Sequence, residues 1–249
     1  VDYILVEEYA GVESDGLIAY YPFKGNADDE SGNGNDGVNH GASLTTDRFG
    51  ESSSAFLFAG NEEYVDIPDN LLPSGSEDLS VSFWFKSSQS NHAIVFNSDG
   101  RSAGRWEFGI DSNGKFYVFI GPYANDYDTY FRLASNETVN DDLWHMAVIS
   151  RTANNWKIYI DGSLENESES FYTINNTLDM GIGENSGHIS NYPGNGFVGK
   201  CDDVRFYNYS ISESEISALY NENGWTGNQI QNGDFTDSRD GNIYKWVKI

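Results

Sequence analysis

The amino-acid sequence predicts an all-β protein: a two-sheet antiparallel β-sandwich of the jelly-roll kind, with one short C-terminal helix. Three observations carry this. Apolar and polar residues alternate with a period of two through many short segments; Gly, Asn, Asp and Ser bound nearly all of those segments; and a single stretch carries helix-start chemistry. The 249 residues suit one large sandwich, because all-β domains commonly reach this size undivided.

The clearest strand is LSVSFWFK, Leu79 to Lys86. Alternation puts Leu79, Val81, Phe83 and Phe85 on one face and Ser80, Ser82, Trp84 and Lys86 on the other. RWEFGID (105–111) and KFYVFIG (115–121) flank Ser112-Asn113-Gly114 and read as a hairpin. LWHMAVISR (143–151), then Ala153-Asn154-Asn155, then WKIYIDG (156–162) repeats the pattern, with Trp144, Met146 and Val148 followed by Trp156, Ile158 and Ile160. Shorter strands are expected at 18–22, 54–58, 64–67, 94–97, 130–134 and 199–207. So many short strands at this spacing favour a sandwich. The helix starts at Ser212, where Glu215 completes a capping box and Ile211 with Ile216 makes a hydrophobic staple; it ends near Tyr220.

Aromatic residues make up 15% of the chain and hydrophobic residues 38%, enough apolar surface for a core, while 26 glycines suit the many turns. Fourteen Lys and Arg against 39 Asp and Glu leave a net charge of −25, which repels a phosphate backbone, so nucleic acid is excluded as a partner. Cys201 is the single cysteine and reads as a small buried hydrophobe. No apolar run approaches the roughly 18 residues a membrane helix needs, so no membrane insertion is expected. The start, Val1-Asp2-Tyr3, has neither Met nor a basic signal region and reads as a processed or excised fragment.

Four stretches in order resemble the laminin G-like modules of the concanavalin A-like lectin/glucanase class: GLIAYYPFKGNADDESGNGNDG (16–37), SSSAFLFAGNEEYVDIPDN (52–70), WHMAVISRTANNWKIYIDG (144–162) and KCDDVRFYNYSISESEISALYN (200–221). The resemblance implies two curved antiparallel sheets and a place in secreted or cell-surface bacterial proteins. It divides the chain into an N-terminal flank (1–15), a laminin G-like sandwich (16–222) and a C-terminal flank (223–249). The end, DSRDGNIYKWVKI (237–249), resembles the opening of a Fibrobacter succinogenes major-domain segment, so neighbouring modules of the same chain are expected partners.

The loop NADDESGNGNDG alternates carboxylates and amides with Gly, a composition suited to calcium, although its order is not that of an EF-hand. The same residues also make ordinary turns. The resemblance implies a calcium ion between this loop and the last strand, held by Asp29, Asn33 or Asn35, and Asp202. Asp202 shares parity with Val204 and Phe206 in CDDVRFY, so it is expected to point inward, where an unpaired carboxylate is costly and a cation relieves the cost. At about ten times the Kd of an extracellular module, such an ion adds about 1.4 kcal/mol.

The paired-carboxylate pattern Glu-x-Asp-x-x-Glu of related glucanases is missing. Glu63, Asp66 and Glu107 read as isolated, solvated acids, and His40, His92, His145 and His188 lack zinc-type spacing. The expected function is therefore non-catalytic, a carbohydrate-binding or adhesive module with a polysaccharide or glycoconjugate partner, with a polysaccharide-degrading hydrolase or lyase whose site goes unrecognised as the remaining enzymatic alternative. Tyr123, Tyr127, Tyr130 and Arg132 in GPYANDYDTYFR, with Tyr192 in SGHISNYPGNG, are the candidate ligand contacts, since sugars stack on aromatic faces. The same tyrosines could instead cover loop edges in a spacer or protein-interaction module. Trp84, Trp144 and Trp156 read as core, and Trp225 and Trp246 as belonging to a linker or a following module.

Overall fold

The structure is a computed structural model that describes residues 15–60, 63–75, 77–90, 93–98, 105–121, 130–174, 180–183, 196–225 and 227. Its strands are β1 (Leu17–Tyr21), β2 (Val38–His40), β3 (Ser43–Thr45), β4 (Ala55–Ala59), β5 (Tyr64–Ile67), β6 (Leu79–Lys86), β7 (Ala93–Ser98), β8 (Arg105–Ile110), β9 (Lys115–Gly121), β10 (Phe131–Thr138), β11 (Trp144–Thr152), β12 (Asn155–Ile160), β13 (Ser163–Glu169), β14 (Met180–Ile182) and β15 (Val198–Tyr207). One α-helix, α1 (Glu213–Tyr220), follows.

Two antiparallel sheets form. The first runs β13-β12-β11-β6-β15-β4-β3, with β1 also paired to β15; the second runs β10-β9-β8-β7-β14-β5-β2. Both hairpins read from the sequence are present. Asp111 closes the first by donating its N–H to the Lys115 carbonyl (2.9 Å), and Gly114 takes the positive φ (77°) that its turn requires. The second is one residue tighter than expected, because Asn155 already pairs with Thr152.

The core between the sheets is built from the alternating apolar positions. Val81, Phe83 and Phe85 of β6 meet Trp106, Phe108, Phe116 and Val118 of the facing sheet, all essentially fully buried. A second apolar layer lies on the other face of the first sheet. There α1 packs Ile216 and Leu219 over Trp84, Met146, Val148, Tyr159 and Tyr207. This layer covers the Ser/Trp face of β6, which is as buried as its Leu/Val/Phe face up to Lys86, and it places Trp84 in a core, as expected. It also absorbs Trp225, which packs edge-on against Trp84 (5.2 Å between centroids) and Phe49 (5.8 Å) instead of belonging to a linker. The capping box forms in both directions: Glu215 N–H donates to Ser212 Oγ and Ser212 N–H donates to Glu215 Oε2. Ile211 and Ile216 are both buried beside it.

Cys201 is free and fully buried in the main core, and burial pushes its thiol pKa up. Among the described residues no helix is long and apolar enough to cross a membrane. The flank 1–14, the segment 237–249 and Trp246 lie outside the described residues.

Candidate functional site

The loop after β1 folds around Asp29. Its Oδ1 accepts the N–H of Tyr20 and of Ser31, and its Oδ2 accepts the Asn35 N–H and the Ser31 hydroxyl, all at 2.9 Å. Burial works to raise the Asp29 pKa, but these donors outweigh it and hold the carboxyl below its ordinary range. Asn33 donates its amide to the carbonyls of Leu17 and Ile18, and Asn35 donates to Ile18. The three residues are therefore brought together as a staple fixing the loop to β1.

Asp202 lies elsewhere. Across the sheet, Asp202 pairs with Trp84 and Arg205 with Ser82, so β15 carries one extra residue, with Asp203 at φ 47°. The bulge breaks the parity on which the inward placement rested. Cys201, Val204 and Phe206 face the main core, while Asp202 shares the Trp84 face. It is buried there, 2% exposed, but it is not unpaired. Arg48 Nη1 stands 2.9 Å from Asp202 Oδ2 and 2.6 Å from Asp203 Oδ2, with the guanidinium 4.5 Å from the ring centres of both Phe49 and Trp84.

The four residues do not fit calcium as a set. A calcium ion needs six to eight oxygens. Asp29 already accepts four hydrogen bonds, Asn33 and Asn35 turn donating amides onto β1, and Asp202 faces a guanidinium. Among the described residues no group of three or more His, Cys, Asp or Glu is arranged to hold a metal. Loop and last strand are linked instead by Tyr20, whose N–H bonds Asp29 and whose hydroxyl donates to Asp203 Oδ1 at 2.6 Å.

Of the candidate ligand contacts, Tyr123, Tyr127 and Tyr192 lie outside the described residues. Tyr130 is 43% exposed, its ring stacked on Phe119 at 5.3 Å. It reaches that place across Gly121, where a Cβ would come within 2.7 Å of the Tyr130 Cβ, so only glycine allows the approach. Arg132 is engaged rather than free. Its Nη2 contacts Asp111 Oδ2 at 2.6 Å and its guanidinium lies over the Tyr117 ring. Tyr117 in turn donates its hydroxyl to Glu107 Oε1 at 2.6 Å. Glu107 is thus buried and bonded, which corrects its reading as a solvated acid.

Tyr130 opens onto a surface pocket of about 490 Å³ lined by Tyr130, Phe131, Glu169, Ser170, Phe171 and Tyr172. The pocket sits where β10, an edge strand of one sheet, meets β13, an edge strand of the other. The two edges are tied by β13 side chains: Glu165 Oε2 accepts the N–H of Asn136 and Glu137, and Asn166 donates to the Ala134 carbonyl. After β13 the chain turns at Ser170, whose N–H donates to Asn154 O and whose Oγ accepts the Tyr172 N–H. Tyr172 returns to pack on the core while Phe171 stays 81% exposed. Its volume falls in the range of small-ligand sites, roughly 300–1,000 Å³, and the pocket walls are aromatic with a few polar groups. Phe171 and Tyr172 escaped the sequence reading because β13 is too polar to register as a strand. The aromatic pair that follows this acidic run was the available signal.

A two-sheet antiparallel sandwich with an aromatic pocket where its sheet edges meet is the structural class that the geometry defines. Residues 59–217 match the laminin G family described as the concanavalin A-like lectin/glucanases superfamily, and the chain belongs to that family. No curated protein matches it in sequence. Among solved structures it is similar to domain 4 of AbnA, an extracellular GH43 arabinanase from Geobacillus stearothermophilus, in complex with arabinotriose. That likeness has a TM-score of 0.66 and 19% identity and covers 82% of this chain and 98% of that one. It is also similar to the binding domain of Paraclostridial Mosquitocidal Protein 1 (TM-score 0.64, 17% identity, 84% of this chain and 52% of that one). A third likeness is to the botulinum neurotoxin serotype D ligand binding domain in complex with N-acetylneuraminic acid (0.62, 20%, 83% and 51%). The chain spans about half the length of these toxin domains. At such identities the shared property is the fold.

Proposed function

We propose that this chain is a non-catalytic carbohydrate-binding module of a secreted or cell-surface bacterial protein, and that its glycan packs a ring against Tyr130 and Phe171. The observation that carries this is Phe171, a large apolar side chain held 81% exposed on a pocket wall by the Ser170 turn. Stacking of this kind is a recurrent way to recognise sugars, with hydroxyls oriented by groups such as Glu169 and Ser170. The fold neighbours named with arabinotriose and with N-acetylneuraminic acid support a glycan as the ligand class.

The non-catalytic reading rests on how the acids are used. Glu107 is bonded to Tyr117, and Asp111 is bonded to Arg132 and to the N–H groups of Asn113 and Lys115. Both carboxylates hold structure. A glycan array on the purified chain, followed by assay of product release from each bound polysaccharide, tests the proposal. Binding without cleavage is expected. Cleavage would make the protein an enzyme, and an array without any binder would favour a spacer or protein-interaction role.

A further inference from the structure

We infer that the glycan taken by the Tyr130–Phe171 pocket is neutral, and that saccharides carrying sialic or uronic acid carboxylates are excluded by charge. This rests on the reading of that pocket as the glycan site. Of the six described residues that line the pocket, Glu169 alone carries an acidic or basic side chain. A bulge at Glu165 interrupts the alternation of β13, beyond which Glu167 and Glu169 share one face, so the pocket lies at the end of an acidic pair.

The nearby cations are committed elsewhere. Arg132 is held by Asp111 at 2.6 Å, and Lys157 lies 3.8 Å from Glu167, not from Glu169. The sequence around the pocket deepens the same charge. The described residues 163–174 contain Glu165, Glu167 and Glu169 and no Lys or Arg. A chain of net charge −25 adds a long-range field of the same sign. Among the described residues, an approaching carboxylate therefore meets like charge and no uncommitted guanidinium, whereas a neutral sugar offers hydroxyls whose hydrogen bonds Glu169 can accept. Like-charge juxtaposition of this kind is a means of rejecting wrong ligands.

The test uses matched glycans that differ by one carboxylate, such as lactose against sialyllactose, together with arabino- and xylo-oligosaccharides against oligogalacturonides. Affinities are measured by calorimetry at low and high salt. The neutral member of a binding pair should bind at least about tenfold tighter than its acidic partner, and the gap should shrink in high salt, where charge is screened. Glu169→Gln should raise the acidic-to-neutral affinity ratio. An acidic member that binds as well as or better than its neutral partner overturns the inference while leaving the pocket as the glycan site. Equal ratios in the wild type and Glu169→Gln overturn it too. Binding of neither class, or binding untouched by Phe171→Ala, overturns the site reading itself.

Discussion

Arg48 and Asp202 form a buried ion pair, 2.9 Å between Nη1 and Oδ2, that ties the segment between β3 and β4 to the last strand. Arg48 is 1% exposed and also contacts Asp203. Burial and the neighbouring Asp203 charge push the Asp202 carboxyl up, and Arg48 opposes them. Breaking a buried pair by removing one partner costs about 3–5 kcal/mol, because the other charge is left without compensation. Arg48→Ala should destabilise by about that much in urea unfolding, and adding Asp202→Asn to it should recover part of the loss. A change below about 1 kcal/mol would show that the pair is not the anchor described.

With a guanidinium between the last-strand carboxylates and Asp29 saturated by hydrogen bonds, the fold should not depend on calcium. A calcium clamp worth about 1.4 kcal/mol would shift the melting temperature of a domain this size by roughly 3–6 °C. Differential scanning calorimetry in EDTA and in millimolar calcium should give superimposable transitions. A drop of several degrees in EDTA would restore the metal.

Asp29 should make the protein sensitive to acid. Its carboxyl pKa is lower in the folded chain, so its contribution is present above the unfolded value near 3.9 and is lost as pH falls through the folded value. Asp29→Asn should cost about 1–3 kcal/mol at pH 7, since several donors lose a charged acceptor. The difference from the wild type should narrow as pH drops below about 4. Urea midpoints between pH 2 and 7 measure it, and a constant difference would contradict the assignment.

His145 works in the opposite sense. Its Nδ1 lies 2.8 Å from Asp161 and its Nε2 3.1 Å from Asp141. Burial pulls its pKa down, but the two carboxylates outweigh burial and raise it. A raised value means stabilisation that is fully present below the unfolded value near 6.5 and lost as pH rises through the folded value. The stability gap between the wild type and His145→Gln should shrink between about pH 6 and pH 9. An NMR titration of the ring giving a value at or below 6.5 would refute this.

The sandwich was legible because alternation and turn residues are local signals, and β6, β5 and β9 carry the bounds that the pattern implies. The strands that escaped, β2, β3, β13 and β14, are either three residues long or, like the LENESE run of β13, polar on both faces. They are strands because a neighbour pairs them. The site was less legible for a related reason. Asp202 was rightly expected to be buried, but the bulge at Asp203 reversed its face, and its partner Arg48 lies 154 residues away. No period in the sequence encodes such a contact. Tyr130 was visible as an aromatic among polar loop residues, whereas Phe171 and Tyr172 depend on two sheet edges meeting.

Glycan binding at the sheet-edge pocket is tested most directly by calorimetric titration of the tightest array binder into the wild type, Tyr130→Ala and Phe171→Ala, with melting curves run on all three. If a sugar ring stacks about as well as a second aromatic ring, each face contributes about 0.5–1.5 kcal/mol, so each variant should bind about two- to tenfold more weakly. Phe171→Ala should leave the melting temperature unchanged, since its side chain stands in solvent. Undiminished affinity in both variants would contradict the pocket as the binding site.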